Sequence, residues 1–68
     1  MNQNQRDKIA IRTVLSQMGK ASYPEIALRA GEGLASPLLE MVQAGEVKRF
    51  RSSEDEPFLY RLMERDAA

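Results

Sequence analysis

Lys48, Arg49 and Arg51, three cations within four residues, are the part of this sequence best suited to holding a ligand. A guanidinium presents N–H donors in one plane and can grip a phosphate or carboxylate through two of them, while an ammonium acts as a compact point charge. Arg12 and Lys20 add two more cations upstream. The same cluster has a plainer use, because lysines and arginines on an edge strand deter edge-to-edge aggregation. Bond-making chemistry is poorly provided for. The chain has neither histidine nor cysteine, so it lacks the usual general base, a thiol nucleophile and the ligands that zinc prefers. Glu54, Asp55 and Glu56 are consecutive in a polar stretch and diverge into water. Gly31 and Gly33 form a lone Gly-x-Gly between helices, without the strand that a nucleotide fingerprint requires. No enzymatic activity, metal or cofactor is expected.

The elements that must position the cations follow from spacing. Ile11, Val14, Leu15 and Met18 recur at i, i+3, i+4 and i+7 and predict a helix over 5–18, closed by Gly19. A bridge-length extended segment over 20–23 leads to a second helix over 24–30. There Pro24 suits the first helical position, Glu25 complements the dipole and Gly31 ends the helix. Leu34, Leu38, Met41 and Gly45 step by four, three and four, giving a third amphipathic helix. Pro37 must lie in its first turn, which favours Ser36 as N-cap, and the helix runs to Ala44 with Gly45 as left-handed stop. Residues 47–51 and 58–62 read as strands, with Phe58, Tyr60 and Leu62 on one face, and the polar residues 52–57 join them into a hairpin with an acidic tip. The expected organisation is a flexible N-terminus over 1–5, one domain over 6–63 and a flexible tail over 64–68.

Sixty-eight residues allow one small core, which buries only roughly 60% of the unfolded surface, so stability must come from tight packing or self-association. Ten basic and ten acidic residues cancel, which argues against non-specific coating of nucleic acid through the overall field. The distribution is uneven. Arg6, Lys8, Arg12 and Lys20 face only Asp7 in residues 1–20, whereas Glu25, Glu32, Glu40 and Glu46 face only Arg29 in residues 24–46. An anion-binding surface must therefore draw on the first helix and the basic strand. The lack of cysteine, signal peptide and long apolar run points to a cytoplasmic protein with no membrane association.

In order, VLSQMGKASYPEIALRAG resembles the first helix, glycine turn, short strand and second helix of the winged helix-turn-helix DNA-binding family. LLEMVQAGEVKRF resembles the family's recognition helix leading into its wing, and PFLYRL its returning wing strand. The resemblance covers about residues 6–63, with the turn from Ile26 to Leu34 about three residues shorter than usual. It implies an α+β fold of three helices followed by a two-stranded antiparallel hairpin. It also implies a small prokaryotic or phage-type transcriptional regulator that binds double-stranded DNA. In those terms Ser36 and Gln43 of the third helix would meet base edges and Glu40 would accept from cytosine. Lys48, Arg49, Arg51, Lys20 and Arg12 would hold phosphates. Glu40 would also repel them. The alternative is a protein-binding adaptor of the same fold, with Leu39, Leu59 and Met63 as candidate exposed apolar contacts; a homodimer suits either reading.

Overall fold

Ile11, Val14 and Leu15 bury the inner stripe of the first helix, α1 (Gln3–Met18), and everything else packs over that stripe. Ile26 reaches it from α2 (Tyr23–Ala30), and Leu34, Leu38 and Met41 reach it from α3 (Ala35–Gln43) and the residue before it. Ala21 of β1 (Ala21–Ser22) and Val47 of β2 (Val47–Phe50) close the remaining side, with Tyr60 and Leu62 of β3 (Leu59–Leu62) packed against them. Each large aliphatic side chain buried in this way contributes about 1.5–3 kcal/mol, so the few elements of a short chain suffice only because they share one core. The computed structural model describes residues 2–63, and the expected tail over 64–68 lies outside the described residues. Among the described residues no helix is long and apolar enough to cross a membrane.

The helix ends explain where the spacing-based boundaries move. α1 begins at Gln3 rather than residue 5, because the Asn2 side chain accepts from the Gln5 backbone N–H at 2.9 Å and caps the extra turn. Ser36 is not the N-cap of α3. Leu34 holds that position, its carbonyl accepting from the Leu38 N–H at 2.9 Å while its side chain is buried in the core. Pro37 is then the third helical residue, still within the turn where its missing N–H costs nothing. At the other end the Glu46 N–H reaches the Met41 carbonyl and the Gly45 N–H the Val42 carbonyl, with Gly45 at φ +80°. This is a Schellman closure, and it turns the chain from α3 directly into β2.

The three strands form one antiparallel sheet in the order β1-β3-β2. The expectation of a two-stranded hairpin is therefore corrected to three strands. β1 pairs Ala21 with Tyr60 and Ser22 with Leu59, covering the edge that β3 would otherwise leave open. The extended segment expected over 20–23 contains β1, but its pairing depends on β3, almost forty positions away, which spacing does not reveal. On the other side β3 pairs with β2 from Val47↔Leu62 to Phe50↔Leu59, and the Met63 N–H extends the ladder to the Glu46 carbonyl at 2.9 Å. The result is a small α+β architecture of three helices and a three-stranded antiparallel sheet.

Candidate nucleic-acid interface

Successive strand residues point to opposite faces, so the basic cluster that is continuous in sequence is divided by the sheet. Arg49 lies on the same face as Val47, towards the helices, and Lys48 on the outer face. Arg51 follows Arg49 at a spacing of two. The Cζ atoms of Arg49 and Arg51 each lie 4.7 Å from the centre of the Phe58 ring. One aromatic side chain thus gathers two guanidiniums, and each contact is worth about 0.5–1 kcal/mol at an exposed site. Phe58 sits just before β3 rather than inside it. At 38% exposure it serves the two arginines more than the core.

Arg49 also lines a groove of about 260 Å³ between the sheet and α3, together with Tyr23, Ala35, Leu39, Val42 and Tyr60. Beyond the groove rises the outward side of α3. Ser36, Leu39 and Gln43 are exposed there at i, i+3 and i+7. The seven-residue interval from Ser36 to Gln43 spans about 10 Å along the helix axis. A hydroxyl, an isobutyl group and an amide in that line can hydrogen-bond to base edges and touch a thymine methyl.

Two of the four carboxylates of the central segment, Glu40 and Glu46, are engaged by α1. Glu40 Oε2 accepts from Asn4 Nδ2 at 2.8 Å, and its Oε1 lies 3.6 Å from Lys8 Nζ. Glu46 Oε2 accepts from Arg12 Nη2 at 2.7 Å. Both acids therefore meet cations of α1. Two sequence-derived candidates lose their assigned setting: Glu40 is engaged with α1, and Arg12 is occupied by Glu46. Lys20 is exposed beside β1, on the far side of β3 from the arginine pair.

The structure therefore brings Arg49 and Arg51 together beside the α3 face carrying Ser36 and Gln43, and leaves Arg12, Lys20 and Lys48 elsewhere, with Glu40 engaged by α1. Spacing alone missed Phe58 as the partner of the arginines, although its place directly before the returning strand is the available signal. Arg61, opposite Lys48 on β3, was also missed, because it lies apart from the basic run in sequence. Among the described residues no group of acidic side chains is placed to hold a metal ion, and every buried side-chain polar atom has a hydrogen-bond partner. No family model, curated protein or solved structure matches the chain.

Proposed function

We propose that the chain is a winged helix-turn-helix domain that binds double-stranded DNA as a small cytoplasmic transcriptional regulator. α3 enters the major groove, and the β2–β3 hairpin is the wing that lies along the adjoining backbone. The observation that carries this reading is the separation of charge around α3. Arg49 and Arg51 are gathered on Phe58 beside its exposed face, while Glu40 and Glu46 are bound to Lys8 and Arg12 of α1. Anionic repulsion is thereby reduced where a phosphate would approach. Ser36, Leu39 and Gln43 supply the base-edge contacts, and Arg49 and Arg51 the phosphate contacts that fix register. The reading is of a binding module, without a catalytic step.

Salt dependence tests it. Two arginine–phosphate contacts imply a loss of roughly tenfold in duplex affinity between about 50 and 200 mM salt, from a slope of about −0.9 per contact. Absence of binding at the lower salt would overturn the proposal.

A second reading, docking on a protein or on a second copy of the chain, is favoured by Leu28. This side chain is 86% exposed on the outer side of α2. If that reading holds, Leu28→Glu abolishes the association in sedimentation experiments and leaves duplex affinity unchanged.

A further inference from the structure

We propose that the outer face of the sheet is a second phosphate-backbone site, built from Lys20, Arg61 and Lys48, which lets one chain bridge two duplexes. The proposal rests on the DNA reading for its ligand but uses a different surface. Lys48 is directly opposite Arg61 in the β2–β3 ladder. On the other side of β3, Ala21 is opposite Tyr60, so Lys20, one residue earlier, continues the register opposite Arg61. The three cations form a row across all three strands, about 10 Å long at the usual strand spacing. Alternation places this row on the face away from Val47, Tyr60 and Leu62, which join the core, and so away from α3.

Like charges directly opposite in an antiparallel pair are unfavourable, and none of the three is ion-paired among the described residues. Protection of a sheet edge accounts for Lys48 on β2. It does not account for Arg61, because β3 is the central strand and is paired on both sides. The next row on the same face is Ser22, Leu59 and Phe50; Ser22 donates to Glu25 Oε1 at 3.1 Å, whereas Leu59 and Phe50 are partly buried apolar residues, so Arg61 and Lys48 border apolar surface where attraction to an anion is less screened. A row about 10 Å long spans the axial rise of about three nucleotides of one DNA strand. A duplex seated on α3 and the arginine pair lies on the other side of the sheet, so the phosphates that meet this row belong to a second duplex.

The test is a bridging assay with the full chain at low salt, in which a bead-bound duplex must retain a labelled free duplex. The wild type is expected to retain it. The triple variant Lys20→Gln, Lys48→Gln, Arg61→Gln should bind a single duplex within about threefold of wild type yet bridge at least about tenfold less. The charge-keeping variant Lys20→Arg, Lys48→Arg, Arg61→Lys should bridge like wild type. Undiminished bridging by the neutral variant would overturn the proposal and assign bridging to a dimer. Loss of bridging in the charge-keeping variant would overturn it as well. A wild type that binds one duplex and never a second defeats this inference alone, whereas a wild type that binds no duplex defeats the DNA reading with it.

Discussion

Glu40 and Lys8 face each other between α3 and α1, Oε1 to Nζ 3.6 Å apart, and that pairing decides what the exposed side of α3 presents. The sequence alone places Glu40 beside Ser36 and Gln43, where its charge would oppose a phosphate backbone. In the folded chain its second oxygen is also taken, by Asn4. Glu40 stays 47% exposed beside Ser36 and Gln43, and Lys8 offsets its charge there.

Glu40→Gln is therefore expected to change duplex affinity by less than about threefold and to leave base preference intact, whereas Gln43→Ala shifts preference among sequences. Because the Glu40–Lys8 pair is exposed, its loss should cost no more than about 1 kcal/mol of stability. Competition binding with base-substituted duplexes checks the first point and urea unfolding the second.

Phe58→Ala frees both guanidiniums. Two cation–π contacts of about 0.5–1 kcal/mol each hold the arginines in place, so duplex affinity should fall by about fivefold to thirtyfold. Phe58→Tyr keeps the ring and should restore it. Fluorescence anisotropy with a labelled duplex measures both. If Phe58→Ala binds as tightly as wild type, the ring does not organise the arginines.

Gly45 closes α3 at φ +80°, and a Cβ added there meets nothing within 4 Å. Gly45→Ala should thus cost about 1–2 kcal/mol from backbone strain alone. Gly45→Asn, which tolerates the left-handed region, should cost less. The ordering of the two unfolding midpoints in urea is the check.

Lys48 and Arg61 stand directly opposite with like charge. Neutralising Lys48 to glutamine should raise stability by about 0.2–1 kcal/mol, and the gain should shrink as salt screens the repulsion. Thermal unfolding at two salt concentrations reads it. A loss of stability would mean that Lys48 has a structural role in the sheet.

These relationships differ in how far spacing could reveal them. The apolar steps from Leu34 through Leu38 to Met41 are local, and they locate α3 to within a residue or two. Gly45 marks its end for a stereochemical reason that needs no partner. The N-cap is harder: Ser36 has the favoured side chain, but burial of Leu34 fixes the helix start two residues earlier. β1 is legible as an extended segment over 20–23, but not its pairing, since Ala21 and Ser22 join the sheet only through β3. The candidate site was legible as a basic run and no further. Period-two alternation separates Lys48 from Arg49, and only the packed structure reveals that Phe58 collects the arginines while α1 engages Glu40 and Glu46.

The most direct measurement is the affinity of the wild type and of the double variant Arg49→Glu, Arg51→Glu for a mixed-sequence duplex at about 50 mM salt, with circular dichroism confirming that the variant is folded. Charged hydrogen bonds are worth about 1.5–3 kcal/mol each, so losing both arginines predicts a drop of at least roughly 100-fold from measurable wild-type binding. Equal affinity of the two proteins, or no binding by the wild type, would contradict a DNA interface built from α3 and this arginine pair.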